Sequence, residues 1–249
     1  MRVSIVTPTY NSARTIVDTI LSVNKQDYDD IEHIIIDGGS KDNTLDLIRN
    51  TPNRVKKIIS EPDKGIYDAM NKGIALATGD IVGILNSDDF YNSNDVITKV
   101  VKTFQKGEYE GVYGDLEYVD TRNINRVIRY WESKVYKEGL FRKGWHPAHP
   151  TFFVKKEVYD KYGNFNLKYK IGADYEIMLR FIEKNRIKVA YIPEILVKMR
   201  VGGASNQSIR NIIKANIECY NAWKDNGLFI FPFIFILKPL SKTLQYLRK

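Results

Sequence analysis

Cysteine is almost absent: Cys219 is the only one in 249 residues. No intrachain disulfide can form and no cysteine-built zinc cluster can assemble, which permits a reducing compartment. Histidine is scarce as well, with three residues. The chain has no internal repeat, low-complexity tract or Pro/Ser-rich linker. No Gly-Lys-Ser/Thr ending marks a Walker loop, and no Gly-x-Gly-x-x-Gly follows the first apolar run. The longest apolar run, from Gly227 to Leu237, would span roughly 16 Å as a helix at about 1.5 Å per residue. A bilayer core is about 30 Å thick, so this run is too short to cross it. Met1-Arg2-Val3-Ser4-Ile5-Val6 reads as a strand and lacks the long apolar region and small-residue cleavage site of a signal peptide.

What is present suffices for a sizeable core: 43% of residues are hydrophobic and 27% charged, a balance that excludes wholesale disorder. The formal net charge is +8. Such an excess suits an anionic partner but does not choose among nucleic acid, an anionic membrane surface and a phosphate-bearing substrate. A merely basic soluble surface would give the same number.

Hydrophobic periodicity predicts strands alternating with helices in the first half. Strands are expected at Val3–Thr7, Ile31–Ile36, Val55–Ser60 and Ile81–Leu85. The helices between them are capped by Asn11 or Ser12 (apolar face Ala13, Ile16, Ile20, Val23), begin after Asp42, and cover Tyr67–Ala77; another follows from Asp95 to Lys106. This order implies an α/β fold with a mostly parallel, Rossmann-like central sheet and helices on both faces. Beyond it, strands are expected at Val112–Val119, Arg126–Tyr130 and Val189–Ile192, and helices at Tyr175–Glu183 and Asn206–Lys224. The division is a catalytic unit over 1–205, with halves 1–95 and 96–205, and a C-terminal helical segment over 206–249.

In a parallel α/β sheet ligands bind outside the carboxyl ends of the strands. Four polar clusters, Thr7–Asn11, Asp37–Asp42, Glu61–Lys64 and Asn86–Asp89, fall at those ends. One aspartate there is more often a turn or cap residue than a ligand, but four clusters on one rim point to a site. Asp88 and Asp89 are adjacent carboxylates whose repulsion a cation would relieve, and hard oxygen ligands suit Mg²⁺ or Mn²⁺; a turn aided by Asn86 and Ser87 is the competing reading. Asp37, before Gly38-Gly39-Ser40, could accept a hydrogen bond from a nucleobase or ribose, or could simply shape a tight turn. Asp174 could be a base or the N-cap of the helix after it, two roles that are compatible. His146 and His149, in the proline-stiffened His146–Thr151 loop, could complete a metal site, bind phosphate or shape an acceptor pocket. The preceding stretch, with Trp131, Lys134, Tyr136, Arg142 and Trp145, suits sugar rings and pyrophosphate, or a packed connection. His33 lies within a strand and reads as structural.

These motifs, in this order, resemble family 2 glycosyltransferases: Thr7-Pro8-Thr9-Tyr10-Asn11, Asp37-Gly38-Gly39-Ser40-Lys41-Asp42, Gly65 through Gly73, and Asn86-Ser87-Asp88-Asp89. Asp63-Lys64-Gly65-Ile66-Tyr67-Asp68-Ala69-Met70-Asn71-Lys72-Gly73 resembles a subgroup that assembles bacterial surface polysaccharides, including colanic-acid-type enzymes. The resemblance is close over residues 1–95 and looser to Gly203. It implies a GT-A fold and an inverting transfer of sugar from a nucleotide-sugar, by default a UDP-sugar, to a lipid-linked saccharide. Thr7, Pro8, Thr9, Asp37, Asp68, Asn71, Asn86, Ser87 and Asp88 would bind the donor, with Asp37 on the base. Asp88 and Asp89, with His149, would hold Mn²⁺ or Mg²⁺. Asp174 would be the catalytic base, and His146 and Trp145 would contact the acceptor. Two departures stand out: Asn86 occupies the first acidic position of the usual Asp-x-Asp, and Ala173 replaces a glutamate before Asp174. Val201–Asn206 resembles a glycine hinge that closes over the donor.

No acidic residue follows Asp225, so the apolar and basic tail suits an anionic leaflet or packing against the catalytic unit or a second subunit. The enzyme would then sit peripherally on the inner face of the plasma membrane. A sugar-nucleotide nucleotidyltransferase would need a Gly-rich basic phosphate loop after the first strand, which Thr7–Asn11 is not. A nucleic-acid-binding module would have a clustered basic face and no need for Asp88, Asp89 and Asp174; the Lys and Arg residues are dispersed and no standard nucleic-acid motif is present, so nucleic acid is not expected as a partner.

Overall fold

The computed structural model describes residues 1–202 and 209–229. The elements run β1 (Val3–Thr9), α1 (Ile16–Asn24), β2 (Ile31–Asp37), α2 (Thr44–Asn50), β3 (Val55–Ser60), α3 (Ile66–Leu76), β4 (Ile81–Ile84), β5 (Asp89–Tyr91), α4 (Val96–Gln105), β6 (Gly111–Val119), β7 (Val127–Trp131), β8 (Phe153–Lys155), α5 (Lys156–Tyr162), α6 (Ala173–Met178), β9 (Val189–Arg200) and α7 (Ile209–Asp225). They form one sheet in the order β3-β2-β1-β4-β8-β6-β9-β5, with β7 paired to β6. The first four strands are parallel. Beyond β4 the sheet is mixed: β8 runs antiparallel to β4 and β6, β9 parallel to β6, and β5 and β7 antiparallel to their neighbours. The wholly parallel part of the sheet is therefore the first half, and the second half mixes the parallel β6–β9 pair with antiparallel neighbours.

Side chains alternate across each strand, and that alternation builds the two faces. Val6, Ile34 and Ile36 pack on Ala69, Met70 and Ile74 of α3. Val3 and Ile5 face the opposite way, toward Val23 and α4 residues Val96, Val100 and Phe104, while Ile35 meets Ile16, Ile20 and Ile48. α3 rides so close to β1 that a Cβ on Gly73 would lie 2.2 Å from Val6 Cγ1. Only glycine fits there.

Several expected elements are displaced. α1 begins at Ile16, not at an Asn11 or Ser12 cap. Asn11 instead adopts φ 49°, its N–H donates to Ser40 Oγ at 2.8 Å, and its Oδ1 accepts the Lys41 N–H at 2.8 Å, lacing the β1 loop to the β2 loop. β9 runs twelve residues, to Arg200, because Pro193 sits where the β6–β9 register shifts and needs no ladder hydrogen bond. The helix expected over Tyr175–Glu183 is α6 followed by a π-helical turn, Leu179–Lys184. The C-terminal helix is integral to the core: Cys219, Ala222 and Trp223 of α7 are buried with Tyr175 and Ile177 of α6. Among the described residues no helix is long and apolar enough to cross a membrane. Residues 203–206 of the expected hinge and the tail from 230 lie outside the described residues.

Candidate active site

The carboxyl ends of β1, β2 and β4 and the start of α3 open into adjoining concavities. One, of about 310 Å³, is lined by Pro8, Thr9, Tyr10, Ser12, Asp63, Gly65, Ile66, Ala69 and Ser87. Thr9 is 4% exposed, and its Oγ1 has no hydrogen-bond partner. Tyr10 is 59% exposed, a ring open to stacking at the mouth. A second concavity shares Ser12 and Ser87 and adds Asn11, Arg14, Thr15, Asp42 and Asp88.

Thr7 is fully buried, its Oγ1 2.9 Å from His33 Nε2; it supports the strand from beneath and does not reach either concavity. Asp37 is also fully buried. It accepts the Gly39 N–H at 3.1 Å, the Ser40 N–H at 3.0 Å, the Ser60 hydroxyl at 2.7 Å and the Ser40 hydroxyl. A carboxylate has about four acceptor sites, and in this structure the chain's own donors occupy them. Asp63 is better placed: its Oδ1 accepts the Gly65 N–H at 2.8 Å, and its Oδ2 lies beside Gly38, 2.6 Å from where a Cβ would stand. Asp68 and Asn71 also differ from expectation. Asp68 Oδ2 accepts the Lys64 N–H at 2.9 Å and closes the first turn of α3. The Asn71 amide exchanges two 2.9 Å hydrogen bonds with the Phe165 backbone, joining the two halves of the molecule.

The acidic pair is divided by its environment. Asp89 is fully buried at the start of β5, and its Oδ2 accepts the Asn86 amide at 3.0 Å. Asp88 lines the second concavity. Burial raises both carboxyl groups above the usual carboxylate range, Asp89 further, with the Asp88 charge adding to it. Asn86 Oδ1 and Asp89 Oδ1 are buried without a partner. Arg200, 5% exposed, holds the loop from behind: it donates to the Asp88 carbonyl at 2.6 Å and pairs with Asp18. Asp88 faces the second concavity and Asn86 the neighbouring cavity; a hard divalent cation that keeps waters and gains substrate phosphates would suit the Asp88 carboxylate. Asp89 turns inward. His149 lies in the neighbouring cavity, and no group of three His, Cys, Asp or Glu side chains able to hold a metal occurs among the described residues.

That neighbouring cavity, about 230 Å³, is walled by Ile66, Tyr67, Asn86, Trp131, His146, His149, Asp174 and Tyr175, among others. Asp174 sits in the first turn of α6, with Oδ1 accepting the Tyr175 N–H at 2.8 Å and lying 3.4 Å from the Tyr67 hydroxyl. Burial raises the Tyr67 phenol far above its usual value, with the Asp174 charge adding to it, so Tyr67 stays protonated and donates to the Ile171 carbonyl at 2.6 Å. His149 is 8% exposed, and burial pushes its imidazole down against the pull of Asp174. His146 Nδ1 is 2.9 Å from the Pro147 carbonyl, and its ring meets Trp131 and Tyr175 edge-on, both at 5.3 Å. Trp145 is half-buried and packs against Tyr113, Tyr136 and Phe141 outside that cavity's lining.

The structure thus brings Pro8, Thr9, Ser87, Asp88, Asn86, His146, His149 and Asp174 onto connected concavities, and leaves Thr7, Asp37, Asp68, Asn71, Asp89 and Trp145 outside their linings. Sequence reasoning missed Tyr10, Asp63, Tyr67 and Arg200. Tyr10 and Asp63 were visible as members of strand-end clusters; Arg200, 112 residues from Asp88, left no local signal.

A parallel half that ends in polar concavities, continued by a mixed-sheet half that carries an aspartate in a neighbouring cavity, is the arrangement of a GT-A fold. The chain belongs to glycosyl transferase family 2, whose model matches residues 4–163. A PGL/p-HBAD biosynthesis glycosyltransferase of Mycobacterium bovis is 30% identical over 207 residues, covering 82% of this chain and 78% of its own. A glycosyltransferase of Nostoc sp. is 35% identical over 218 residues, covering 83% and 66%. S. aureus TarS 1–349 in complex with UDP-GlcNAc superposes with a TM-score of 0.70 at 18% identity, over 91% of this chain. The chain spans 65% of that TarS chain and 43% of a longer one. The mannosyltransferase PcManGT of Pyrobaculum calidifontis, in complex with GDP-Man and Mn²⁺, gives a TM-score of 0.66 at 20% identity, over 96% of this chain and 69% of its own.

Proposed function

We propose that the protein is an inverting glycosyltransferase that moves a sugar from a UDP-sugar to a lipid-linked saccharide, within the bacterial surface-polysaccharide, colanic-acid-type subgroup. The observation that carries this reading is the shared wall: Ile66 lines both the donor cleft and the cavity of Asp174, and Asn86 and Ser87, adjacent in the chain, face one each. A sugar held by its diphosphate at Asp88 would present its anomeric carbon toward Asp174. The uracil would stack on Tyr10, beside Pro8 and Thr9, and its imide N–H would donate to Asp63. Asp174 takes the proton of the acceptor hydroxyl as that oxygen bonds to the anomeric carbon, while the bond from that carbon to the diphosphate oxygen breaks and the nucleoside diphosphate leaves. One displacement inverts the centre. Mn²⁺ or Mg²⁺ held by Asp88 and Asn86 Oδ1 would neutralise the leaving diphosphate. His146 and Trp131 offer the acceptor sugar aromatic edges.

The lipid-linked acceptor is supported by α7. Its outward side exposes Ile212, Ile213, Ile217 and Tyr220, with Arg210, Lys214 and Lys224 exposed among them, a pattern suited to an anionic leaflet. A peripheral position on the inner face of the plasma membrane follows from this reading. The test is a thermal-shift panel of UDP, GDP, dTDP and CDP, with and without Mn²⁺. A ligand that binds only the folded state raises apparent stability with the logarithm of its saturation. A Mn²⁺-dependent shift with UDP is expected; no shift with any diphosphate would overturn the donor assignment.

A further inference from the structure

The loop that delivers Asp174 is held by a carboxylate from the far end of the chain. Glu218, on α7, is 8% exposed. It accepts the backbone N–H of Lys170 at 3.1 Å, of Ile171 at 2.9 Å and of Gly172 at 2.8 Å. Three successive amides converge on one anion, and such charge-assisted hydrogen bonds are roughly twice as strong as neutral ones. The same loop is gripped from its carbonyl side by Tyr67 through Ile171. Gly172 immediately precedes α6, so the direction in which Asp174 leaves the loop depends on where these amides are held. A Cβ on Gly172 would lie 3.4 Å from the Glu218 Cβ, an ordinary contact that shows how closely the two backbones approach.

Glu218 is not what keeps α7 in place. The helix is anchored by buried Cys219, Ala222 and Trp223, by the Trp223 indole N–H donating to the Tyr175 hydroxyl at 2.8 Å, and by the Asn226 amide donating to Glu176 at 3.0 Å. Asp225 adds an ion pair with Lys168 at 2.6 Å. With docking so provided for, the carboxylate of Glu218 acts locally, on the loop it caps. Its helix neighbours Ala215 and Cys219 line the Asp174 cavity itself.

We propose that Glu218 is a positioning residue for Asp174, so that α7, which lies beyond the stretch matched by the family model, is part of the catalytic apparatus. The inference rests on Asp174 being the base. Misplacing a reacting group by about 1 Å can cost about 10²-fold in rate.

The test compares Glu218→Ala, Glu218→Gln and Asp174→Asn in the full chain, by two readouts. In hydrogen–deuterium exchange, Glu218→Ala accelerates the amides of Lys170, Ile171 and Gly172 while the β1 amides keep wild-type protection. In nucleoside diphosphate release from UDP-GlcNAc, UDP-glucose, UDP-galactose or GDP-mannose, whichever the wild type turns over with a bacterial lipid extract, Glu218→Ala lowers kcat about 100-fold. Donor KM stays within two-fold, and Glu218→Gln, whose amide oxygen still accepts, restores part of the rate. Unaccelerated amides at 170–172 overturn the proposal, as does a Glu218→Ala kcat within two-fold of wild type when Asp174→Asn is inactive. If Asp174→Asn turns over normally, the base assignment fails and this inference falls with it.

Discussion

His33 makes the donor half of the molecule sensitive to acid, by an amount the structure allows to be worked out. It lies in the middle of β2, fully buried, with Nε2 2.9 Å from Thr7 Oγ1 and Nδ1 without a hydrogen-bond partner. Burial alone lowers its pKa from 6.5 to about 3. The folded chain therefore binds fewer protons than the unfolded chain between those values, and stability rises with pH across that window. The contribution is complete above the unfolded pKa and is lost as pH falls below about 6.5. Linkage between those two pKa values gives a loss of about 2 kcal/mol at pH 5 relative to pH 8, a large share of the ~5–15 kcal/mol that typically holds a domain together. The assay is urea unfolding at pH 8, 7, 6 and 5 on wild type and His33→Gln, whose amide can still bond Thr7. His149 is displaced in the same direction, so both proteins lose its share; the difference between them isolates His33. The gap should close by about 2 kcal/mol from pH 8 to pH 5. Parallel losses in the two proteins would refute a neutral, buried His33.

Four further outcomes are expected. Asp174→Asn keeps the Mn²⁺-dependent thermal shift with UDP but lowers transfer by about 10²–10⁴-fold, the usual weight of a general base; normal transfer by the variant would remove Asp174 from that role. Asp88→Ala abolishes the Mn²⁺-dependent part of the UDP shift, and an unchanged shift would place the cation elsewhere. Asp63→Asn weakens UDP binding in isothermal titration by about 10-fold, corresponding to one lost hydrogen bond to a charged group, with unfolding midpoints near wild type; equal affinity for UDP would return the base to another residue. Gly73→Ala forces a Cβ against Val6 Cγ1 and costs about 1–3 kcal/mol in denaturant unfolding, as overpacking does; a wild-type midpoint would show that α3 can lift from β1 freely.

The first half of the fold was legible because its signals are local. Ile34–Ile36 and Ile81–Leu85, the latter broken only by Gly83, are apolar runs, and Asp37 and Asn86 follow them directly, so strand ends and rim could be placed together. The second half was legible only in part: β6, β7 and the start of β9 were expected, but its shortest strands depend on partners far away in the chain. β8 has three residues, too few for a period, and β5 has three more, of which the first is Asp89. Trp145 is half-buried: the rings of Tyr136 and Phe141, from its own stretch, and of Tyr113, from β6, cover part of it, and the Tyr113 contact leaves no local signal.

The rim residues sort by unmet hydrogen-bonding capacity better than by residue type. Asp37, Asp68 and Asn71 carry groups that recognise ligands in principle, but the described fold uses them: four donors on Asp37, a helix turn on Asp68, two backbone bonds on Asn71. Thr9 Oγ1, Asn86 Oδ1 and Asp89 Oδ1 are buried and have none. A buried polar atom without a partner costs free energy. Two of these residues, Thr9 and Asn86, line the cavities beside the shared wall. His33 Nδ1 is unpaired too, but it lies in the middle of β2, fully buried and away from the rim. The orphaned atoms at the rim are the ones a donor and its cation would satisfy on binding. That gives Asn86, the departure from the usual acidic motif, a specific role, because a neutral oxygen beside Asp88 leaves a cation site with one fewer charge. Asn86→Asp should then tighten Mn²⁺ binding in the absence of nucleotide, and an unchanged Mn²⁺ affinity would show that Asn86 Oδ1 faces the sugar and not the metal.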